Sequence, residues 1–198
     1  MFEKENSEGI VVRPMTDRDD KSQIAKLIYW SDDYIYPNWF TTMEEGQRVL
    51  AEMMSLPTIY NKKNITVAVT RDGFVAGALV TCDSPFCEEE KYLYEAFAAA
   101  GVAADERTHR IYLDYYAKMG EEHGHYFANL AVDPDFRGRG IGTALMSYVL
   151  AAHPNAYLEC VQSNAGAWRI YQRLGFEIVQ EYPGVFDVPC YKMIRKEE

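Results

Sequence analysis

The first half of the chain alternates between apolar runs of strand length and apolar stripes at helical spacing. Residues 10–14 predict a strand, and the stripe at 24–28 predicts a helix that Thr16 can cap. The aromatic, proline-bearing stretch 30–40 interrupts the helical spacing and is interpreted as a loop. A capping-box sequence then opens a second helix, which the pattern extends over 42–56. The chain is therefore predicted to begin as strand, helix, loop and helix.

Two apolar runs around Asp72 and Gly73 predict a β-hairpin with strands at 65–70 and 74–81. The segment 82–125 that follows carries two further helical stripes. It is interpreted as an inserted pair of helices between the hairpin and the next strand.

The stretch 126–143 has the most informative pattern in the chain. An apolar strand is followed by alternating glycines at Gly138, Gly140 and Gly142, and a helical stripe begins at once. Such a loop brings unpaired backbone N–H groups to a helix N-terminus, where the helix dipole also favours negative charge. The sequence therefore predicts an anion-binding site.

The spacing of these glycines excludes the two commonest nucleotide loops. A Rossmann turn needs a glycine where Leu145 stands, and a P-loop needs a lysine that this stretch lacks. The remaining pattern, arginine-x-x-glycine-x-glycine from Arg137 to Gly142, resembles the pyrophosphate loop of the GNAT N-acetyltransferases. A plain tight turn into a helix is the alternative interpretation.

A second motif supports the first. The sequence from Asn164 to Phe176 is similar to the GNAT signature after the fifth strand, which is predicted here at 156–161. Two closing strands are predicted at 176–182 and 188–195. The resemblance implies an α/β GNAT fold with a central mixed, mostly antiparallel sheet flanked by helices. It also implies one GNAT domain over 1–198, with the helical insertion at 82–125 between the third and fourth strands.

The resemblance further implies direct transfer of an acetyl group from acetyl-CoA to a primary amine of a small molecule or peptide, without a covalent enzyme intermediate. Tyr171 is the implied proton donor to the departing thiolate, and Glu159 is a candidate base on the fifth strand. His125 and an ordered water remain alternative bases, and Cys160 is expected to be a core thiol. The residues expected to hold acetyl-CoA are Leu130, Ala131, Val132, Arg137, Gly138, Arg139, Gly140, Ile141, Gly142, Thr143, Asn164 and Tyr171. A catalytically silent GNAT domain that binds acyl-CoA is the alternative function.

Composition bears on the number of domains, the kinds of partner and the cellular compartment. The 198 residues suit one domain, and the net charge of −10 argues against nucleic-acid binding. The acidic start of the chain is unlike a signal peptide, and no apolar run approaches the length of a membrane span. The four cysteines lack a C-x-x-C pair, which predicts reduced thiols in the cytoplasm and no metal site. We expect a monomer or a homodimer.

The charge of the insertion suggests a cationic acceptor. Segment 82–125 holds ten acidic and four basic residues, a net charge of −6, which indicates either a solvated helix face or an acidic lid over the acceptor site. Aromatic rings that could hold an ammonium are Trp30, Tyr34, Tyr36, Trp39, Tyr112, Tyr115 and Tyr116.

Overall fold

The structure is a computed structural model that describes residues 4–5, 9–84, 90–107, 109–110, 113–114 and 124–197. Its strands are β1 (Lys4–Glu5), β2 (Val11–Pro14), β3 (Ile65–Val69), β4 (Val75–Ser84), β5 (Gly124–Val132), β6 (Ala156–Val161), β7 (Glu177–Pro183) and β8 (Pro189–Arg195). The longer helices are α1 (Lys21–Trp30), α2 (Ile35–Trp39), α3 (Met43–Met53), α4 (Glu90–Ala100), α5 (Ile141–Leu150) and α6 (Ala165–Arg173).

All eight strands form one sheet in the order β1-β2-β3-β4-β5-β6-β8-β7. Every neighbouring pair is antiparallel except β5 and β6, which are parallel and are connected through α5. The predicted mixed, mostly antiparallel sheet is confirmed. The predicted fourth and fifth strands are β5 and β6, because the two-residue β1 is too short to give a recognisable pattern.

Helices cover both faces of the sheet, so the central strands are apolar on both sides. Alternate residues of a strand point to opposite faces. On β3, Val67 and Val69 join the core formed with α1, α3 and α4, whereas Ala68 joins the core formed with α5. This two-sided burial explains why the hairpin reads as continuous apolar runs.

The structure differs from the sequence predictions at the first loop. The stretch predicted as irregular contains α2, and the side chain of Asp32 accepts hydrogen bonds from the backbone N–H groups of Tyr34 and Ile35 at its start. Asp20, not Thr16, caps α1. The second difference arises because more than one polar residue before α1 can cap it, and the tertiary packing selects Asp20.

The predicted insertion is shorter than expected, because β4 extends to Ser84 and β5 begins at Gly124. Its first helical stripe forms α4, whose buried residues Leu93, Ala96 and Phe97 pack into the core with α3. Much of the second stripe lies outside the described residues, so the helical pair remains a prediction. No helix among the described ranges is both long and apolar enough to span a bilayer.

Gly46 allows α3 to lie close to its neighbours. A Cβ at this position would come within 2.6 Å of the Tyr29 ring and 2.8 Å of the Phe40 ring. We expect Gly46→Val to lower the free energy of unfolding by about 1–3 kcal/mol through overpacking. Thermal unfolding measures this loss against Arg48→Val, which places the same side chain on the exposed face of α3. Equal melting temperatures for the two variants would contradict the close approach.

Candidate active site

The glycine loop lies between the end of β5 and the start of α5. Gly138 and Gly140 have φ values of +77° and +74°, in the left-handed region that side chains rarely adopt. A Cβ at either position would meet no atom within 4 Å. The surface above the loop is therefore open, and the glycines are required by backbone conformation and not by crowding within the protein.

The N-terminus of α5 has no side-chain cap. Gly140 is the N-cap residue, and the first α-helical hydrogen bond runs from the Ala144 N–H to the Gly140 carbonyl. The N–H groups that precede Ala144 in this turn have no intrahelical acceptor. They converge on the open surface, which is the arrangement that binds phosphate groups.

Two arginines flank this loop in fixed positions. The Arg137 Nε donates to the Val132 carbonyl at 3.3 Å, and the Arg139 Nη2 donates to the Asp135 carbonyl at 3.0 Å. The Arg139 guanidinium also lies 5.0 Å from the centre of the Phe136 ring. Both cations remain exposed beside the open N–H groups, so the loop is positively charged as well as rich in donors.

β5 and β6 separate beyond their first few residues. They pair in parallel only where His125, Tyr126 and Phe127 face Ala156, Tyr157 and Leu158. At Ala128 the register between β4 and β5 shifts, because Val80 faces Asn129 and Thr81 faces Phe127. This bulge bends β5 away from β6 and opens a cleft between the two strands.

The backbone of β5 offers hydrogen-bond donors to this cleft at alternate residues. The N–H of Asp133 donates to the Ala76 carbonyl on β4 at 2.9 Å. In an antiparallel pair this direction alternates, so Ala131 also faces β4, whereas Leu130 and Val132 face the cleft. Of residues 130–132, which are expected to contact acetyl-CoA, Leu130 and Val132 therefore direct their N–H groups at the cleft, and the N–H of Ala131 is directed at the sheet.

Asn164 and Tyr171 both lie on α6, which follows β6. The Asn164 Oδ1 caps this helix by accepting from the Ala167 N–H at 3.1 Å, and its amide nitrogen has no hydrogen-bond partner among the described residues. Burial, reinforced by the nearby Cys160, raises the pKa of the Tyr171 hydroxyl well above its ordinary value. Tyr171 is therefore a neutral phenol at physiological pH, able to donate a proton.

The cysteine on β6 is not poised for nucleophilic attack. Burial, with a further contribution from Cys190, raises the pKa of Cys160 to about 12. Reactive thiols have a lowered pKa, because the thiolate is the nucleophile. Cys160 packs in the core as the sequence predicted.

A cavity of about 70 Å³ opens where β5 and β6 separate. Its carboxylates are Glu159 on β6 and Asp32 before α2, and no lysine or arginine is among the described residues that line it. Burial is the main cause that raises the pKa of Cys190 to about 11. The negative charges of Glu159 and Asp32 also raise this pKa. The cavity is lined by Asp32, Tyr34, Ile35, Tyr126, Ala128, Asn129, Glu159, Cys160, Val161, Val185, Val188 and Cys190.

Asp32 is the site residue that sequence reasoning missed. Burial raises its pKa, although the hydrogen bonds from Ile35 at 2.6 Å and Tyr34 at 2.7 Å lower it in part. A carboxylate whose pKa lies nearer neutrality is a better general base than an ordinary one. An aspartate three residues before Ile35 is a typical capping position and could have indicated the helix. The aromatic residues and the proline of the stretch favoured a loop instead.

Asn129 is held at the wall of this cavity by two hydrogen bonds. Its Nδ2 donates to the Ser31 Oγ at 2.8 Å and to the Tyr36 hydroxyl at 3.1 Å. Its Oδ1 is buried and has no hydrogen-bond partner among the described residues. A buried acceptor of this kind is stabilised by a donor such as an amine N–H.

Of the other sequence-predicted residues, only Tyr34 lines this cavity among those that the structure describes. His125 faces Ala156 where β5 and β6 are still paired, and its Nδ1 bonds to Asp83 at 2.8 Å, away from the cleft. Of the predicted aromatic residues, Tyr34 lines the cavity, whereas Tyr36 and Trp39 are buried in the core and Trp30 packs under the Lys26 ammonium. Tyr112, Tyr115 and Tyr116 lie outside the described residues.

Sequence comparisons identify related proteins. The sequence model of the Acetyltransferase (GNAT) family matches residues 42–176. The peptidyl-lysine N-acetyltransferase YiaC of Escherichia coli (strain K12) is 46% identical over 56 residues, which span 28% of this chain and 38% of that protein. The chain therefore matches well under half the length of this curated relative.

Solved structures share the whole fold. The N-acetyltransferase from Staphylococcus aureus Mu50 superposes with a TM-score of 0.69 at 17% identity, covering 92% of this chain and 98% of that one. The NatC complex bound to Gag peptide and CoA gives a TM-score of 0.56 at 16% identity, covering 96% and 99% of the two chains. With the family match over residues 42–176, the glycine loop and the cleft between β5 and β6, the chain belongs to the GNAT family of acetyltransferases.

Proposed function

We propose that this enzyme transfers the acetyl group of acetyl-CoA directly to a primary amine of a peptide or small molecule. The observation that carries the proposal is that three parts of the site lie next to one another along β5. The open N–H groups of the glycine loop, the cleft-facing edge of β5 and the acidic cavity follow one another along the splayed strand. They supply in turn an anion site, oxyanion donors and a site for an amine.

The loop supports the donor half of the proposal. The pyrophosphate of acetyl-CoA would accept hydrogen bonds from the N–H groups at the start of α5, between the Arg137 and Arg139 cations. The amide nitrogen of Asn164 would donate to the pantetheine arm. One GNAT domain over 1–198 would suffice for this arrangement. None of the three described cysteines, Cys82, Cys160 and Cys190, forms a disulfide, as expected in the cytoplasm.

The reaction needs four events, and the chain offers a group for each. The neutral amine attacks the thioester carbonyl carbon, and the resulting oxyanion accepts hydrogen bonds from the cleft-facing N–H groups of Leu130 and Val132. The C–S bond then breaks, and Tyr171 protonates the leaving thiolate. Glu159 holds the incoming ammonium, which loses one proton to solvent to give the neutral amine before attack. Asp32 then removes the second proton, which the nitrogen loses after attack, and Tyr171 regains its own proton from solvent. No covalent intermediate on the enzyme and no metal ion is needed for these steps.

The lining of the cavity supports a cationic acceptor more directly than the net charge of the insertion does. Two carboxylates, those of Asp32 and Glu159, line it together with Asn129, and Tyr34 adds an aromatic wall. Release of CoA thiol from acetyl-CoA across a panel of lysine peptides, polyamines, amino sugars and neutral or anionic aryl amines tests this. We expect turnover of cationic primary amines; turnover of neutral or anionic amines alone would contradict the acceptor assignment, and no turnover would favour a silent acyl-CoA-binding domain.

Removing the Tyr171 hydroxyl isolates its role as proton donor. We expect Tyr171→Phe to lower kcat about 100-fold, the lower end of the usual range for a lost proton donor, because a thiolate with an ordinary pKa near 8.5 is a tolerable leaving group even without protonation. Coenzyme affinity and melting temperature should be unchanged, since the ring packing against Phe176 is kept. Because the pKa of Tyr171 is raised, its ionisation should not limit the rate below about pH 10.

Steady-state kinetics and calorimetry of the same preparations provide the measurement. Tyr182→Phe removes a hydroxyl from β7, outside the cleft, and serves as the matched control. Full activity in Tyr171→Phe would leave Tyr171 as a packing residue only.

A further inference from the structure

Three metal-binding side chains meet at the end of the sheet opposite the glycine loop. Asp83 lies near the end of β4, His125 near the start of β5, and His153 just after α5. Because β4 and β5 are antiparallel neighbours, their register places Asp83 directly beside His125. The connection from β5 through α5 then returns the chain to this end of the sheet, which brings His153 to the other two.

The ligand atoms of these residues are close together. One ring nitrogen of each histidine and one carboxylate oxygen of Asp83 all lie within 4.8 Å of one another. The Nδ1 of His125 is 2.8 Å from the Asp83 Oδ1, and the Nδ1 of His153 is 4.0 Å from the same oxygen. The two imidazole rings are stacked, with their centres 3.6 Å apart.

His125 supplies an independent sign of a missing ligand. Its side chain is only 9% exposed, yet its Nε2 has no hydrogen-bond partner among the described residues. A buried polar atom without a partner is destabilising by about 1–3 kcal/mol, so most such atoms in native proteins are paired. A bound ion would supply this partner if the His125 ring turns so that Nε2 faces the other two ligands.

We propose that Asp83, His125 and His153 bind a divalent transition-metal ion of the Zn²⁺ class. Two imidazole nitrogens and a carboxylate oxygen are a ligand set that zinc favours, and water commonly takes the fourth position. A cavity of about 590 Å³, which all three residues line, leaves room for that water. None of the three residues lines the cavity between β5 and β6.

Metal binding also requires an adjustment of the two exposed ligands, His153 and Asp83. Zinc lies about 2.0–2.2 Å from nitrogen and oxygen ligands, which places ligand atoms about 3.3–3.6 Å apart in a tetrahedron. His153 must therefore turn out of the ring stack and approach by about an ångström. The side chains of His153 and Asp83 are 38% and 86% exposed, so both have the freedom to do so around the buried His125.

The expected role of the ion is to fasten one end of the fold. It would join the end of β4, the start of β5 and the segment after α5, which are distant in sequence. A ligand that binds only the folded chain stabilises it in proportion to its occupancy. At a zinc concentration about 100 times Kd, the melting temperature should rise by roughly 5–10 °C for a chain of this size.

Titration calorimetry of the metal-free full chain with ZnCl₂, together with thermal unfolding, tests the proposal. We expect one ion per chain, and a loss of affinity of at least about tenfold in both His153→Ala and Asp83→Asn. These two positions are partly exposed, so both variants should fold. The control is Asp72→Asn, which removes an exposed carboxylate from the turn at the other end of β4 and should bind zinc as the wild type does.

Substitution with Co²⁺ adds a readout that depends on the ligand set. A tetrahedral site of two histidines and one aspartate absorbs in the visible range and lacks a thiolate charge-transfer band. Absence of zinc binding, wild-type affinity in both ligand variants, or a thiolate band from cysteine ligation would each overturn the proposal. None of these results depends on acetyl transfer, so the metal site and the proposed activity fail or succeed separately.

Discussion

Replacing Gly140 by asparagine is expected to abolish coenzyme binding while the fold survives. Gly140 has φ +74°, a conformation that asparagine tolerates better than other side chains. Its new side chain would project into the open space above the loop and occupy the place of the pyrophosphate. We expect the affinity for acetyl-CoA to fall at least about 100-fold, because both the backbone donors and the close approach to them are lost.

Calorimetry with CoA measures the effect, and Gly142→Ala is the matched control. A Cβ at Gly142 would lie 3.7 Å from both the Leu130 and Val132 side chains, which is ordinary packing contact. Gly142 precedes the first intrahelical donor of α5, and alanine favours the helix by about 1 kcal/mol over glycine. Alanine keeps the backbone N–H that Gly142 is expected to offer to the coenzyme, so the control should bind the coenzyme normally. Equal affinity in Gly140→Asn and wild type would contradict pyrophosphate binding at this loop.

Replacing Asp32 by asparagine is expected to cost about 10²–10³-fold in kcat, because the variant cannot accept the proton of the amine. The asparagine Oδ1 can still accept from the N–H groups of Tyr34 and Ile35, so α2 keeps its start. Asp33→Asn removes a neighbouring exposed charge and should retain most of the activity. A fully active Asp32→Asn enzyme would exclude Asp32 as the base.

The pH dependence gives a second test of Asp32. Burial raises its pKa in the folded protein, and a base acts only when it is unprotonated. The wild-type rate should therefore fall as the pH drops through this raised pKa, and the Asn variant should lose that limb. A raised pKa also means that any stabilisation by Asp32 is present at low pH and lost as the pH rises through the folded-state pKa. At pH 7 the Asn variant should consequently be as stable as the wild type or more so.

Glu159→Gln separates the two carboxylates of the cavity. If Glu159 holds the ammonium and Asp32 takes the proton, the Gln variant should raise KM for cationic amines more than it lowers kcat. A larger loss of kcat in Glu159→Gln than in Asp32→Asn would indicate that Glu159 is the base and that Asp32 holds the ammonium.

The sequence by itself determined the features whose parts are adjacent in the chain. The hairpin at β3 and β4, the glycine loop and the helix after it each depend on local backbone preferences, such as the positive φ of Gly138 and Gly140. The cap at Asn164 is local in the same way, because a helix N-terminus and its capping residue are separated by only a few positions.

Only the tertiary structure decided which distant residues meet. Asp32 and Glu159 share a cavity because a bulge at Ala128 separates β5 from β6 and the turn before α2 closes over the gap. Asp83, His125 and His153 meet because strand register and the path of α5 bring three chain segments to one end of the sheet. Neither cluster forms a recognisable motif in the sequence, because its residues are far apart along the chain. Sheet pairing and helix packing, not local preference, determine the distances between their side chains.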